Sequence, residues 1–206
     1  MIKHVLKVAL CAFFFLSLTS CSDTSEDVPK HLRPICHIFE NNPGWYKATY
    51  KVQKKYGVPI SLQMAIIAQE SGFRANAQPK RQKLFGWLPW FRPSTAHGYA
   101  QVLDGTWHYY LQQTGQLSAN RDYFSDSVAF LGWYIHRIHH ELHIPMSNTY
   151  ALYLAYHEGI HGYQTHEYWR HPKVMEIARK VRRLARHYHS RLTQCGLHLD
   201  RLTHVK

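Results

Sequence analysis

Prolines and glycines in this chain recur at spacings of one helix length, and that punctuation constrains the fold more than any other feature. Asn42-Pro43 opens a segment carrying Trp45, Thr49, Val52 and Tyr56 that stops at Gly57, and Pro59 opens a second from Ile60 to Glu70 that stops at Gly72. Asp104 is placed to cap a third helix ending at Gly115. Asp122 or Ser125 opens a long fourth running to about His143 before Pro145. Ser147 opens a fifth ending at Gly159, and Pro172 opens a basic sixth ending near Cys195-Gly196. No alternating apolar pattern of the kind a half-buried hairpin needs stands out, and no internal repeat is visible. The fold class is therefore all-α, with six or so helices. A chain of 206 residues with 45% hydrophobic and 18% charged composition is neither fibrous nor disordered, so one globular domain is expected.

The N-terminus stands apart from that domain. Met1 to Lys7 carries Lys3 and Lys7 without an acid, Val8 to Leu18 is apolar, and small residues follow, which is the pattern of a secretory signal too short to span a bilayer stably. Leu18-Thr19-Ser20-Cys21 resembles the lipobox of bacterial lipoproteins. That resemblance implies cleavage before Cys21, lipidation of its thiol and membrane attachment through the lipid, with Ser22 in place of Asp implying sorting to the outer membrane; the alternative is a plain secretory signal with an incidental Cys21. The expected organisation is a signal at 1–20, a polar tether at 21–35 and a domain at 36–206. Removal of Lys3 and Lys7 lowers the net charge from +12 to +10, still basic enough to favour anionic partners. Secretion argues against nucleic acid among them. Of four cysteines, Cys11 leaves with the signal and Cys21 takes lipid, so Cys36 and Cys195 are expected to pair in an oxidising compartment. A bridge over so long a loop stabilises by ~4–5 kcal/mol in the chain-entropy description.

Glu70 is the first residue with a chemical reading. Leu62 and Ile66 share its helical face, so a carboxyl ends an apolar stripe in the last turn of a helix. The macrodipole and apolar neighbours both favour the protonated acid, the form that general acid catalysis of glycosidic cleavage requires. A helical Glu before Gly is also an ordinary surface residue.

Its company changes that reading. Glu70-Ser71-Gly72-Phe73, Gly98-Tyr99-Ala100-Gln101 and Ala155-Tyr156-His157-Glu158-Gly159 occur in this order, and together they resemble the lytic transglycosylases of the soluble, goose-lysozyme-like superfamily, whose motifs read E-S, G-L-M-Q and A-Y-N-A-G. The resemblance runs from about Tyr56 to Gly159. It implies a lysozyme-like helical domain acting on peptidoglycan glycan strands without metal or organic cofactor. It also implies that Glu70 is the single acid/base, Ser71 contacts substrate, Gln101 lines the cleft and Tyr156 brings a phenol close to the carboxyl, with Tyr99 and His157 completing the cleft. By the same resemblance, cleavage between N-acetylmuramic acid and N-acetylglucosamine ends in a 1,6-anhydromuramoyl product rather than in the water attack of two-carboxylate enzymes. The departures are His157 and Glu158 where the family has Asn and Ala. Glu158 thus enters as a substrate-peptide ligand or as a base that tilts the chemistry toward hydrolysis, so a lysozyme-type hydrolase and a non-catalytic glycan-binding lipoprotein are the alternatives.

Two further patterns compete. His157-Glu158-Gly159-Ile160-His161 is a literal H-E-x-x-H, the zinc-protease motif, yet Gly159 and Gly162 interrupt the continuous helix it needs, each costing ~1 kcal/mol against Ala. Gln164 and Glu167 stand where an extended motif wants Gly and His. His136, His139, His140 and His143 share a helical face that reads as solvated, with adventitious metal binding as the alternative. No metal site is expected. The long stretch Ser71 to His97 mixes Lys80, Arg81, Lys83 and Arg92 with Phe85, Trp87, Trp90 and Phe91, a combination that suits capping and stacking in a glycan cleft but equally a single-stranded nucleic acid, a membrane surface, or core aromatics beside solvated cations. The C-terminal helix carries Val174, Ile177, Val181 and Leu184 as its packing stripe under a basic outer face.

Overall fold

A computed structural model describes residues 34–81, 83–84, 88–89 and 94–205. The signal at 1–20, the lipobox Cys21 and the insert residues Phe85, Trp87, Trp90, Phe91 and Arg92 lie outside the described residues.

The chain folds as a helical domain in which the most apolar segment becomes the axis. Seven α-helices follow in order among the described residues: α1 (Ile35–Asn41), α2 (Pro43–Tyr56), α3 (Ile60–Ser71), α4 (Asp104–Thr114), α5 (Phe124–Leu142), α6 (Thr149–Gln164) and α7 (Pro172–Thr203). A 3-10 turn at Glu167–Arg170 joins the last two, and a two-residue antiparallel ribbon pairs Lys83 with Pro89 and Leu84 with Leu88. The ribbon is the small β-element that the sequence pattern did not signal; two residues per strand are too few to carry a period.

α3 is buried almost all round, from Ile60 through Ala68, rather than along one stripe. α2, α5 and α7 pack around it. Among its buried polar side chains, Gln63 donates to the carbonyls of Thr49 and Val58 at 3.1 and 2.8 Å, tying α2 and the α2–α3 turn to the axis. Glu70 and Gln69 are the first residues of α3 to emerge toward solvent.

The helix starts and stops follow the punctuation, with four differences. Ile35, at the end of the expected tether, opens α1 and is buried with Ile38 and Phe39 against the core. Asp104 is the first residue of α4 rather than its cap, because its carboxylate pairs with Arg121 at 2.7 Å. α5 and α6 open after Tyr123 and Asn148; Asp122 is occupied by His97 at 2.6 Å, while the Asn148 side chain accepts the Ala151 amide proton.

The fourth difference is the end of α7, which continues through Gly196 to Thr203. A helical glycine costs ~1 kcal/mol, and full burial of a leucine gains ~1.5–3 kcal/mol, so buried Leu199 outweighs Gly196. Tyr46 adds a hydrogen bond from α2 to Asp200 at 2.7 Å. The expected Cys36–Cys195 disulfide is formed, with its Cα atoms 6.1 Å apart and a sequence separation of 159, and it fastens α1 to α7. Val174 and Val181 are buried and Ile177 and Leu184 pack on the core, as the stripe required. No described helix is long and apolar enough to cross a membrane.

Candidate active site

Glu70 lies in the last turn of α3 where two cavities meet. One, of about 400 Å³, is lined by Glu70 with Gln101, Tyr134, Tyr156, His157 and Glu158. The other, of about 770 Å³, is lined by Glu70 with Ser71, Arg74, Asn76, Tyr99 and Lys180. The fold thus brings all the sequence-predicted cleft residues to one carboxyl, on its two sides.

The carboxyl is held by one phenol rather than by a cation. Tyr153 donates to Glu70 Oε1 at 2.8 Å. Burial pushes the Glu70 proton affinity up to about 7, against which the Tyr153 hydrogen bond acts in the opposite direction and loses. Burial is the cause here; the helix macrodipole invoked from sequence is not needed. Tyr153 and Tyr156 are themselves pushed far up by burial and by the nearby Glu70 carboxyl, so both stay protonated as donors.

Tyr156, expected beside the carboxyl, lines the same cavity but donates its hydroxyl to the Ala100 carbonyl at 2.6 Å. The phenol that bonds Glu70 comes from Tyr153, one turn earlier on α6. Its only sequence signal is that spacing of three residues, which keeps both rings on one helical face.

The loop before α4 is set by backbone geometry. Gly98 has φ +80°, and a Cβ at this position would collide with the Arg121 carbonyl oxygen, so only glycine fits. Its amide donates to Ala77 O at 3.0 Å, and His97 and Val102 exchange backbone hydrogen bonds of 3.2 Å. Gln101, at φ +50°, donates its side-chain amide to Ala77 O and Gly98 O, which fixes the rotamer and leaves Oε1 as its free acceptor among the described residues. His97 is clasped between Gln78 at 2.8 Å and Asp122 at 2.6 Å, which staples this loop to the start of α5.

Ser71 is buried, at 1% exposure, and its hydroxyl donates to Ile67 O, so it lines the larger cavity mainly through its backbone environment. Tyr99 packs edge-on against Trp45 and Phe124 with centroids 5.6 and 5.4 Å away. Burial raises its hydroxyl proton affinity, with Asp122 adding to the effect.

α6 breaks at Gly159, whose φ +78° and ψ 165° belong to glycine alone, and resumes to Gln164. The break puts His157 and His161 on separate helical segments, so the H-E-x-x-H string does not form the continuous face that two zinc-binding imidazoles require. Glu158 is instead held between His157 at 3.2 Å and His171 at 3.1 Å, which ties the cleft wall to the start of α7. In the other histidine cluster, His136 Nδ1 lies 3.2 Å from Tyr56 O and His139 Nδ1 lies 2.7 Å from Ile144 O. Among the described residues no three His, Cys, Asp or Glu side chains converge on a metal position.

The sequence profile of the transglycosylase SLT domain family matches residues 9–195. The chain belongs to that family. No curated protein and no solved structure matches the chain. Membership gives the helical core its lysozyme-like architecture, a transglycosylase-type, peptidoglycan-lytic role in the cell envelope, and peptidoglycan glycan strands as the substrate class. Arg74, Asn76 and Lys180 line the larger cavity and Tyr134 the smaller one, and sequence reasoning singled out none of them. Lys180 stands 110 residues beyond Glu70 with no local motif, and only the packing of α7 against α3 delivers it.

Proposed function

We propose that this SLT-domain protein is a lytic transglycosylase that uses Glu70 as its single acid/base and leaves 1,6-anhydromuramoyl ends. The observation that carries this reading is one part-buried carboxyl at the junction of two cavities, its proton affinity raised to about 7 by burial and faced by a phenol donor. A strand lying through both cavities presents its glycosidic oxygen to that proton.

In the first step Glu70 transfers its proton to the glycosidic oxygen as the C1–O bond breaks, and the substrate's own acetamido group supports the positive charge developing at C1. Tyr153 then stabilises the carboxylate it already touches. In the second step the Glu70 carboxylate takes the proton of the C6 hydroxyl, whose oxygen closes on C1. Glu70 ends protonated, no water is consumed, and no metal or organic cofactor enters. Gln101 offers Oε1 to a substrate hydroxyl or amide, while Ser71, Tyr99, Tyr156 and His157 shape the walls. The protein is tethered through a lipidated Cys21 to the periplasmic face of the outer membrane by residues 21–35, with the catalytic domain at 36–206; the signal and lipobox pattern supports this.

Glu158 keeps a second reading in play because its carboxylate lines the same cavity. If it activated water, the product would carry a reducing end. Its engagement by His157 and His171 favours a positioning role instead.

The test is mass spectrometry of soluble muropeptides released from purified sacculi by the mature protein, beside Glu70→Gln and a chelator control. Anhydro ends that disappear with Glu70→Gln and survive chelation are expected. Reducing ends overturn the transglycosylase chemistry in favour of a hydrolase. Loss of activity to chelator and to His161→Ala would revive the zinc protease, and a folded wild type without products would leave a glycan-binding lipoprotein.

A further inference from the structure

Lys180 reaches the larger cavity from α7, and Arg74 reaches it from the loop after α3. Both side chains are exposed. Two cations from elements 106 residues apart therefore converge on the space that borders Glu70. Neither has a carboxylate partner among the described residues, although Arg121, Arg137 and Arg170 each find one.

The two do not serve the carboxyl itself. The hydrogen bond to Glu70 comes from Tyr153, and neither Lys180 nor Arg74 is paired with it among the described residues. Arg74 is also pre-oriented: its Nε donates to Ser71 O at 2.8 Å, which leaves the Nη edge of the guanidinium without a partner among the described residues. A fixed planar fork beside a mobile ammonium suits a carboxylate better than it suits a neutral sugar. Asn76 adds an amide on the same wall.

Peptidoglycan strands carry such a group. Their sugars alternate between neutral N-acetylglucosamine and N-acetylmuramic acid, whose lactyl arm bears a peptide with free carboxylates. We propose that Lys180 and Arg74 form a carboxylate-binding subsite that grips the peptide substituent of the glycan strand beside Glu70. The subsite reaches the carboxylates of the peptide beyond the lactyl arm, so it favours strands whose peptide carboxylates are free over strands in which they are blocked. This inference rests on the peptidoglycan reading above and adds to it the part of the substrate that sets specificity.

The test uses the mature Glu70→Gln protein, which binds without consuming its ligand, and two probes: solubilised glycan fragments with their peptides, and the same fragments with the peptide carboxylates converted to amides, since removing the peptide would expose a lactyl carboxylate. Lys180→Ala with Arg74→Ala is compared with Arg183→Ala and Arg186→Ala, which remove the same charge from α7 outside both cavities. The expected result is a loss of about tenfold in affinity for fragments with free peptide carboxylates, about twofold or less for amidated ones, and little change in the charge-matched control. Lys180→Arg restores most of the affinity. Equal losses on both probes, an equal loss in the control, or no loss overturns the subsite. Absent binding to either probe overturns it together with the peptidoglycan reading. Turnover by the unmutated protein is scored separately, so carboxylate-dependent binding without product release would sink the catalytic reading alone.

Discussion

Tyr153 and Glu70, 83 residues apart in sequence, are joined by a 2.8 Å hydrogen bond from the phenol to Oε1. The bond links the last turn of α3 to the middle of α6 and sets two opposing forces on one proton. Burial holds the proton on the carboxyl, while the phenol favours its departure. On the proposed mechanism Glu70 gives up a proton and recovers it within one turnover, and that opposition serves it because neither form is strongly trapped.

Removal of the phenol is therefore expected to move the pH dependence in a known direction. In Tyr153→Phe the opposing hydrogen bond is gone, so the Glu70 proton affinity rises above about 7 and the alkaline limb of kcat/KM shifts upward. The carboxylate also loses a donor worth ~1.5–3 kcal/mol, which lowers turnover about tenfold or more. Rates of muropeptide release across pH, for wild type and variant, check both parts.

Glu70→Gln should abolish activity by about 10²–10⁴-fold and should stabilise the fold at alkaline pH. The folded chain binds the Glu70 proton at about 7 and the unfolded chain at its ordinary 4.5, so the wild type is most stable below 4.5 and loses stability as pH rises to about 7. The full loss is ~3 kcal/mol. Thermal melts at pH 4 should then coincide for the two proteins, and at pH 8 the variant should melt higher. Coincident melts at pH 8 would show that the carboxyl is better solvated than its position implies.

Gly159→Ala tests the break in α6. Its φ of +78° and ψ of 165° leave no unstrained option for a side-chain-bearing residue, so the substitution costs ~1–3 kcal/mol or straightens the helix. Straightening would swing His157 and Glu158 on the cleft wall. The expected outcome is a lower Tm, by about 2–4 °C per kcal/mol, together with a reduced kcat/KM.

The Cys36–Cys195 bridge, with its separation of 159 residues, closes nearly the whole domain. Cys36→Ser with Cys195→Ser should lower the Tm on the order of 10 °C and leave kcat/KM unchanged where the variant is folded, since neither sulfur lines a cavity. Circular dichroism melts of the wild type with and without reductant should reproduce the same difference.

The helical class was legible in the sequence because proline and glycine act locally. Pro43, Pro59 and Pro172 opened helices and Gly57, Gly72 and Gly115 closed them where their backbone preferences dictate. Three short motifs in order named Glu70, Gln101, Tyr156 and their neighbours, and the fold places these residues around two cavities that share Glu70. Cysteine arithmetic named the disulfide by elimination. What only the tertiary structure decided were the relations between elements. Whether Gly196 ends α7 depended on the burial of Leu199 and the Tyr46–Asp200 bond, and both are long-range contacts that outweigh a local preference. Which phenol bonds Glu70, and that Lys180 stands in its cavity, followed from how α6 and α7 pack on α3. Local backbone chemistry sets the elements, and burial of the apolar α3 decides what surrounds the carboxyl at its end.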